Sequence, residues 1–354
     1  FRLDAELAHD ITIEWLSRAG RFSVLRNLLK QLYGNRVASL PVDVMGIRFA
    51  NPLGLAAGLD KNAQCISAMS ALGFGHLELG TVTPLAQPGN PSPRLFRAPE
   101  HQAIVNRMGF NSGGIRPFLE NVANTRKSLP LGINLGKNAS TPIESAADDY
   151  ISGLKQLYLY ADYFTINISS PNTRNLRDLQ SEDALDDLLE KLMRTRAELA
   201  DEFSRIVPVA VKIAPDIEDS SIPALAGLLQ QHGLDAVIAT NTTIDHSGIA
   251  DSPIADETGG LSGRPLRERA NEVVALLFAE LQGSIPIIGV GGISDAEDAW
   301  QRLISGAEML QIYSSFIYQG PGIIADIVNG LARRVEQSGA ASLQEAVSKA
   351  RTEG

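Results

Sequence analysis

Eight short apolar runs recur along the sequence after residue 50, and each is followed by a turn or a polar residue. Most of these runs are almost continuously apolar instead of alternating between apolar and polar positions. This pattern is typical of strands in a parallel sheet, because such strands are buried on both faces. The runs cover residues 53–57, 76–79, 131–135, 163–168, 208–213, 236–239, 285–290 and 309–312.

Helical patterns of apolar residues lie between the runs, at residues 66–72, 184–200, 222–231, 266–281 and 296–305. Eight strand-then-helix units in a chain of 354 residues predict an α/β fold of the (β/α)8 TIM barrel type. A doubly wound open sheet has a similar alternation of strands and helices and is the alternative fold.

The composition excludes several classes of protein. With 44% hydrophobic and 20% charged residues, the chain is typical of a globular protein with a sizeable core. A formal net charge of -10 argues against nucleic acid as a partner, because phosphates require a basic surface. The single cysteine, Cys65, excludes an internal disulfide framework and favours the cytosol. No apolar run reaches about 18 residues, the length that would indicate a membrane-spanning helix.

Two long segments interrupt the rhythm of strands and helices. Residues 82–130 follow the second predicted strand and are rich in Pro and Gly, and residues 169–183 follow the fourth. Long loops after the strands of such a barrel lie on its active face. Both segments are therefore expected to contact substrate or to act as lids.

Residues 3–33 precede the predicted barrel and have the pattern of two short amphipathic helices that break near Gly20. The pair is either a lid packed over the lower end of the barrel or an interfacial element. An interfacial element would lie on a membrane or admit a lipid-like ligand. The two predicted apolar faces comprise Leu7, Ala8, Ile11, Trp15 and Leu16, and Phe22, Leu25, Leu28, Leu29 and Leu32.

Polar residues stand at the carboxyl end of every predicted strand, where barrel enzymes place their active sites. Most are neutral hydrogen-bonding groups, with two lysines. This set suits a large conjugated cofactor and an anionic planar substrate, and it contains no cluster with metal-ligand spacing. The residues are Lys61, Thr81, Asn134, Asn167, Lys212, Thr240, Asn241, Thr242, Gly291, Gly292, Tyr313 and Ser314.

The segment 167–173, with the sequence NISSPNT, follows the fourth predicted strand and carries no acid, His or Cys. A hydroxyl between two carboxamides can hold a planar polar substrate and, if buried, relay a proton. The same residues could instead form an Asx-turn that caps a helix.

The run 288–293, with the sequence IGVGGI, closes the seventh predicted strand. Its glycines let backbone N–H groups approach a phosphate, and the helix that starts near Ser294 adds its positive end. Loops after strands seven and eight of a barrel are the usual phosphate site, and the run 260–263 (GLSG) adds to this signal. Taken alone, the glycine run could be a tight turn.

Lys212 ends the fifth predicted strand and has two interpretations. It could be a core residue in a salt bridge. Facing a cofactor, its charge would stabilise negative charge that develops on the cofactor ring.

Four motifs, in this order, resemble dihydroorotate dehydrogenase: AAGLDK at residues 56–61, NRMGFN at 106–111, NISSPNT at 167–173 and IGVGGI at 288–293. The likeness extends from about residue 3 to about residue 330. It implies an FMN-containing (β/α)8 barrel that oxidises (S)-dihydroorotate to orotate in de novo pyrimidine (UMP) biosynthesis.

The family divides by its catalytic base and its electron acceptor. Soluble class 1 members have Cys in the NxSxPN segment, whereas membrane-associated class 2 members have Ser and an N-terminal helical extension. Ser170 and the helical pair at residues 3–33 therefore imply class 2, which passes electrons to a membrane quinone, either ubiquinone or menaquinone. Cys65 lies outside the segment and cannot replace the missing Cys.

The resemblance also assigns roles to residues of this sequence. Ser170 would be the catalytic base, taking a proton from C5 of dihydroorotate as hydride leaves C6 for the flavin N5. Because free serine is a poor base, the proton would pass on through water or a neighbour such as Thr173. FMN would be held by Ala57, Gly58, Leu59, Asp60, Lys61, Thr81, Asn134, Asn167, Lys212, Thr240, Gly263, Gly292, Tyr313 and Ser314.

The resemblance places the substrate and the quinone at two further sets of residues, and it implies no metal. The substrate would be held by Lys61, Asn106, Arg107, Met108, Gly109, Phe110, Asn167, Asn172, Asn241 and Thr242. The quinone would be contacted by His9, Arg97 and Tyr313.

The class 2 resemblance further implies a monomer in peripheral contact with a membrane. That membrane would be the bacterial inner membrane, at its cytoplasmic face, or the mitochondrial inner membrane if the chain is eukaryotic. The chain is accordingly divided into a helical quinone and membrane segment at 1–35, the FMN barrel at 36–335 and a polar C-terminal tail at 336–354.

Three other functions fit a barrel of this kind. A class 1-like enzyme using fumarate or NAD is opposed by Ser170 and residues 3–33. A flavin barrel that reduces uridines in transfer RNA is opposed by the acidic composition. A degenerate barrel that only binds or scaffolds is opposed by the complete set of strand-end groups.

Overall fold

The computed structural model describes residues 3–125 and 127–353. Its strands fall into three sheets. In this described part of the chain the strands are β1 (Val42–Val44), β2 (Ile47–Phe49), β3 (Leu53–Leu55), β4 (His76–Val82), β5 (Leu95–Ala98), β6 (Ala103–Asn106), β7 (Leu131–Leu135), β8 (Tyr163–Asn167), β9 (Val209–Ile213), β10 (Ala236–Ala239), β11 (Gly260–Gly263), β12 (Ile287–Val290) and β13 (Met309–Ile312).

Helices alternate with the strands and form the outer layer. The α-helices are α1 (Ala5–Arg21), α2 (Ser23–Leu32), α3 (Ile66–Ser70), α4 (Ile115–Ala123), α5 (Ala146–Leu157), α6 (Glu182–Phe203), α7 (Ile222–Gln231), α8 (Arg267–Leu281), α9 (Ala296–Ile304), α10 (Ser314–Gln319), α11 (Gly322–Ser338) and α12 (Leu343–Glu353). Short 3-10 turns occur at Gly34–Arg36, Pro99–His101, Ile143–Ser145, Leu176–Gln180, Asp219–Ser221, Ser247–Ile249 and Arg264–Leu266.

Eight parallel strands close into a barrel, in the order β3, β4, β7, β8, β9, β10, β12 and β13. The last strand pairs with the first, with Leu310 opposite Leu53, so the sheet has no free edge. The eight strands coincide with the eight predicted apolar runs, which confirms the (β/α)8 barrel. The doubly wound alternative is wrong, because an open sheet would lack the pairing of β13 with β3.

The inside of the barrel is more polar than the apolar runs predicted. Glu78, in β4, accepts hydrogen bonds from Asn134 Nδ2 (2.8 Å), Gln311 Nε2 (2.8 Å) and the Tyr163 hydroxyl (3.2 Å). These residues come from four different strands. The polar groups therefore satisfy one another inside the barrel, as burial requires.

A β-hairpin covers the amino-terminal end of the barrel. It consists of β1 and β2, which pair antiparallel. Phe49, fully buried at its end, packs edge-on against the ring of His76 with a centroid separation of 5.4 Å. This hairpin, and not the N-terminal helical pair, therefore covers the lower end of the barrel.

The two predicted N-terminal helices are confirmed, and they break at Phe22, next to the predicted position. Helix α1 packs against α3, where Gly20 approaches the backbone of Ala68. It also contacts β5, and its residue Glu6 forms an ion pair with Arg94. The pair is thus not a lid on the lower end, since β5 belongs to the loops at the opposite end. No helix of the described residues is long and apolar enough to cross a membrane.

The long segment after β4 contains structure that the sequence did not reveal. Its strands β5 and β6 join β11 in an antiparallel sheet, in the order β11, β6, β5. The sequence pattern missed this sheet because β11 lies more than a hundred residues away.

The predicted polar tail forms the end of α11 and helix α12, and α12 packs on the outside of the barrel. Its residues Leu343, Ala346 and Val347 are buried. Arg351 lies over the ring of Phe278, with 4.3 Å between its Cζ atom and the ring centroid. The segment therefore has an apolar face in addition to its polar one.

The close packing inside the barrel predicts that Gly132→Ala destabilises the protein. A Cβ atom at this position would lie 2.1 Å from Cζ of the buried Tyr163, whose hydroxyl is tied to Glu78. We expect a loss of about 1–3 kcal/mol in the free energy of unfolding, measured by urea denaturation.

Gly227→Ala is the matched control, because a Cβ atom on this exposed glycine of α7 meets no atom within 4 Å. We expect it to stabilise the protein by about 0.5–1 kcal/mol through helix propensity. Equal stability of the Gly132→Ala variant and the wild type would contradict the described packing.

Candidate active site

One cavity opens at the carboxyl ends of the barrel strands, and the loops after β4, β8 and β10, together with helix α1, complete its walls. Most of the predicted site residues line it. They are His9, Ala57, Gly58, Lys61, Thr81, Asn106, Met108, Gly109, Phe110, Asn167, Ser170, Asn172, Lys212, Thr240, Asn241, Thr242, Gly263, Gly292, Tyr313 and Ser314.

Three predicted cofactor residues lie behind the cavity wall. Leu59 belongs to the hydrophobic core. The carboxylate of Asp60 accepts the backbone N–H groups of Gln64 (2.7 Å) and Cys65 (2.6 Å), so it shapes the loop that carries Lys61. Asn134 is fully buried one layer below and holds other amides in place.

Two predicted arginines also do not line the cavity, because other groups hold them. Arg107 pairs with Glu257 (Nη1 to Oε2, 2.6 Å) and lies over the ring of Phe96. Arg97 donates to the backbone carbonyl of Leu3, at the start of the N-terminal segment. Arg97 thus contacts the predicted quinone segment without lining the cavity.

A network of amides fixes the floor of the cavity. The Asn167 amide donates to Thr81 Oγ1 and to Asn134 Oδ1, both at 3.2 Å. Asn241 Nδ2 donates to Asn167 Oδ1 (3.2 Å) and to Ser169 Oγ (2.9 Å). Each amide therefore has a defined orientation, because both N–H groups of each Nδ2 atom are engaged within the floor.

Ser170 is buried and faces this cavity from the loop after β8. Its Oγ atom accepts the backbone N–H of Asn172 at 3.3 Å. Thr173 Oγ1 is buried and has no hydrogen-bond partner among the described residues. The segment does not cap a helix, since the next helical turn, from Leu176, has no side-chain cap.

Arg177 holds the loop of Ser170 against the loop after β10. Its Nε atom donates to the carbonyl of Ser169 (3.1 Å), its Nη2 atom to the carbonyl of Thr242 (3.0 Å), and its Nη1 atom pairs with Asp216 (2.9 Å). These contacts join two predicted substrate-binding segments.

Burial lowers the pKa of three titratable side chains in the cavity wall. Burial, reinforced by the charge of Arg94, lowers the pKa of Lys61 to about 8. Burial and the nearby Lys61 lower the pKa of His9 to about 4, so this ring is neutral near pH 7. Burial lowers the pKa of Lys212, and Glu78 opposes that shift.

Lys212 forms no ion pair with any residue that the structure describes. It lines the cavity, although it is only 5% exposed. This position argues against the interpretation of Lys212 as a core residue in a salt bridge. Its charge is available to a ligand in the cavity.

The part of the cavity wall that follows β11, β12 and β13 is lined by glycines and hydroxyls. Gly263, Gly291 and Gly292 have φ values of 102°, 107° and 75°, which favour glycine. Next to them the hydroxyls of Ser262 and Ser314 are 2.8 Å apart. This part of the wall suits an anion such as a phosphate.

The sequence analysis missed several residues of the wall. Ser262 lies inside the GLSG run, in which only Gly263 was predicted to hold the cofactor. Gln311 is a polar residue within the apolar run 309–312, and this contrast could have indicated that it lines the site. Gln311 Oε1 and Ser315 Oγ are buried without hydrogen-bond partners in the described chain, although both residues line the cavity. The apolar wall residues Leu95 and Ile104 came from the unpredicted sheet.

A chain of polar contacts connects helix α1 to the substrate loops. Arg94 binds Glu6 through Nε (2.9 Å) and Nη2 (2.6 Å), and its Nη1 atom donates to the carbonyl of Asn90 (2.7 Å). Asn90 Nδ2 in turn donates to the carbonyls of Arg107 (2.9 Å) and Asn172 (3.2 Å). The N-terminal segment is thus anchored to the cavity wall.

Comparison with known proteins identifies the family of this chain. Residues 39–335 match the family model described as Dihydroorotate dehydrogenase. The chain is 51% identical over 333 residues to a protein of Burkholderia thailandensis named "Dihydroorotate dehydrogenase (quinone)", covering 94% of this chain and 95% of that one. A protein of the same name from Chromobacterium violaceum is 51% identical over 336 residues, covering 95% and 96% of the two chains.

The fold is also similar to that of solved structures. The crystal structure of DHODH from Eimeria tenella in complex with ferulenol aligns with a TM-score of 0.88 and 36% identity, covering 97% of this chain and 95% of that chain. The ligand-free structure from the same organism gives a TM-score of 0.87. The resemblance predicted from four motifs is therefore confirmed, and the chain belongs to the dihydroorotate dehydrogenase family.

Proposed function

We propose that this protein oxidises dihydroorotate to orotate with bound FMN and passes the electrons to a membrane quinone. The observation that carries the proposal is that one cavity combines Ser170, a fixed set of amides, two lysines and a glycine-lined anion site. The relatives at about half identity are named as quinone-dependent enzymes, which supports the quinone as acceptor.

The cavity fits FMN on the chemistry of its donors. The family is flavin-dependent. The unpartnered hydroxyl of Ser315 and the positive-φ glycines suit a phosphate, and the unpartnered Oε1 of Gln311 suits a polar ring or ribityl hydroxyl. Bound FMN would supply the hydride acceptor. The proposed FMN residues in the wall are Ala57, Gly58, Lys61, Thr81, Asn167, Lys212, Thr240, Gly263, Gly292, Tyr313 and Ser314.

The neighbouring part of the cavity fits a planar acid with ring amides. Lys61 would pair with the substrate carboxylate. The amides of Asn106, Asn172 and Asn241 line this part of the cavity, and a bound ring would replace some of their present hydrogen bonds with bonds to its own amides and carbonyls. Asn172 Nδ2 already donates to the Asn106 carbonyl at 3.0 Å, so these two loops are set relative to each other.

Ser170 is proposed to remove the proton at C5 of dihydroorotate. A serine hydroxyl requires an acceptor for its own proton, because its basicity is low. Thr173 Oγ1 has no partner in the described chain, so it is free to pass a proton onward, directly or through water. Lys212 would stabilise negative charge at the flavin.

Ser170→Ala should retain FMN and orotate binding and lose dihydroorotate-driven bleaching of the flavin. We expect a loss of about 10²–10⁴-fold or more, measured by anaerobic stopped flow, because a general base is removed. Ser170→Cys is the control that keeps a proton-accepting group, and it should be faster than Ser170→Ala. A near-normal reduction rate in Ser170→Ala would exclude Ser170 as the base.

The lowered pKa of Lys61 predicts pH-dependent ligand binding. The ammonium is charged below its pKa of about 8 and becomes neutral above it, so the affinity for orotate should fall as pH rises through this value. We expect the dissociation constant, measured from the flavin absorbance, to approach a tenfold rise per pH unit, about 1.4 kcal/mol, above the pKa.

Lys61→Arg is the control for this titration, because an arginine keeps its charge throughout the range. Its orotate affinity should change little with pH. An equal rise of the dissociation constant in both proteins would assign the titration to another group, such as Lys212.

We propose that helices α1 and α2 admit the quinone and rest on the membrane surface. His9 and Tyr313 line the cavity beside them, and burial raises the pKa of Tyr313 to about 12, so both are neutral near pH 7. Large apolar side chains on both helices are exposed, which suits a lipid-like ligand. These side chains are Leu7, Ile11, Trp15, Phe22, Val24, Leu25, Leu28 and Leu32.

The remaining assignments follow the same proposal. Residues 1–35 would form the quinone and membrane segment, 36–335 the FMN barrel and 336–354 a structural tail. The protein would act as a monomer on the cytoplasmic face of a bacterial inner membrane. Arg97, which holds the carbonyl of Leu3, would stabilise the entrance to the quinone path.

The double variant Trp15→Ser with Leu28→Ser should separate the two half-reactions. Both side chains are exposed on the helical pair, so their loss should leave flavin reduction by dihydroorotate intact. We expect weaker binding to liposomes in sedimentation assays, at about 0.8 kcal/mol per methylene that is no longer inserted. Reoxidation by a long-tailed quinone should slow far more than reoxidation by a small soluble dye.

Ile206→Ser is the matched control, since Ile206 is 68% exposed and Trp15 is 67% exposed. Ile206 precedes β9, at the opposite end of the barrel. If both variants lost liposome binding equally, or neither did, the helical pair would not be the membrane contact.

A further inference from the structure

We infer that Arg302, outside the cavity, is the positioning residue that turns two backbone N–H groups of the glycine run toward the flavin phosphate. The inference rests on the proposed FMN site. Arg302 belongs to none of the four motifs, and it is fully buried within α9.

The guanidinium of Arg302 binds the outer side of the glycine run. Its Nη1 atom donates to the carbonyl of Val290 (2.9 Å), and its Nη2 atom donates to the carbonyl of Gly291 (2.7 Å). In a trans peptide the C=O and the following N–H point in opposite directions. The N–H groups of Gly291 and Gly292 are therefore directed away from Arg302, toward the cavity that both residues line.

Two further contacts keep the guanidinium in this orientation. Nη2 also donates to the carbonyl of Arg267 at 3.3 Å, and Nε donates to Asn271 Oδ1 at 2.5 Å. A Cβ atom on Gly289 would lie 2.5 Å from Arg302 Cγ. The first glycine of the run thus makes room for the arginine stem, while the other two present their N–H groups.

The charge of Arg302 lacks a direct counter-ion in the described part of the chain. Burial lowers the pKa of Arg302 to about 9. The charge of Asp298 opposes this shift, but the carboxylate is engaged elsewhere. It accepts hydrogen bonds from Ser294 N (3.0 Å), Ser294 Oγ (2.6 Å) and Arg267 Nη1 (3.0 Å). A buried cation without a partner is costly. A phosphate on the other side of the two peptides would supply the missing negative charge.

The test compares two flavins that differ only in the phosphate. Holoenzyme is diluted into flavin-free buffer, and the fluorescence of released FMN gives its dissociation constant. The same protein loaded with riboflavin by exchange gives the second constant. For Arg302→Met we expect about a tenfold or greater loss of FMN affinity. Riboflavin affinity should change by less than about threefold, within the range of an indirect effect.

Arg351→Met is the matched control for the loss of an arginine that holds backbone carbonyls. Arg351 donates to the carbonyls of Leu303 (2.5 Å) and Ile304 (3.2 Å), at the far end of the same helix α9. It should leave the ratio of the two affinities unchanged. Arg302→Lys keeps the charge but not the forked contacts. It should lose FMN affinity selectively, and it provides the test if Arg302→Met fails to fold.

Each remaining outcome separates this inference from the proposed function. Equal losses of FMN and riboflavin in both Arg302 variants, or no loss in either, would make Arg302 purely structural and overturn the inference. If the wild type itself bound FMN no better than riboflavin, the phosphate site of the proposed function would fail first.

Discussion

The site depends on one buried carboxylate inside the barrel. Glu78 accepts hydrogen bonds from side chains of three other strands. One of these side chains, Asn134, also accepts a hydrogen bond from the cavity residue Asn167. Asn134 orients Asn167, and Asn167 orients Asn241 in the loop after β10. Because every amide in this series of hydrogen bonds has a defined donor and acceptor, the side chains of the cavity floor are oriented before a ligand binds. Such preorganisation is what electrostatic catalysis requires.

The barrel could be predicted from the sequence because its strands are buried on both faces. Apolar runs of four to six residues, separated by helical patterns, leave few alternatives to a parallel sheet. Most of the polar residues at the predicted strand ends line the cavity. Closure of the sheet was not visible in any local pattern, since it depends on the pairing of β13 with β3, more than two hundred residues apart.

The sequence could not distinguish residues that face the cavity from those that support it. Asp60 stands in the AAGLDK motif and Asn134 at a predicted strand end, yet Asp60 accepts backbone N–H groups and Asn134 holds other amides. Conversely, Arg302 looks like an ordinary helix residue until its carbonyl contacts are seen. The strands β5 and β6 were missed because their pairing partner β11 is distant in sequence.

The N-terminal helices are integrated with the barrel through a few polar contacts. Glu6 and Arg94 tie α1 to the loop whose Asn90 supports Asn172. Deletion of the whole segment would therefore disturb the substrate loop as well as the membrane face. Substitution of exposed apolar side chains such as Trp15 and Leu28 isolates the second effect, because these side chains are outside the polar contacts.

The proposed function requires that one cavity hold both the flavin and the substrate, with Ser170 beside the reacting carbon. A crystal structure with FMN and orotate would reveal this arrangement. We expect orotate between the flavin ring and the loop 167–173, with Ser170 Oγ within about 3.5 Å of C5. We also expect the carboxylate of orotate at Lys61. Orotate bound elsewhere, or Ser170 turned away from C5, would exclude the proposed role of this cavity.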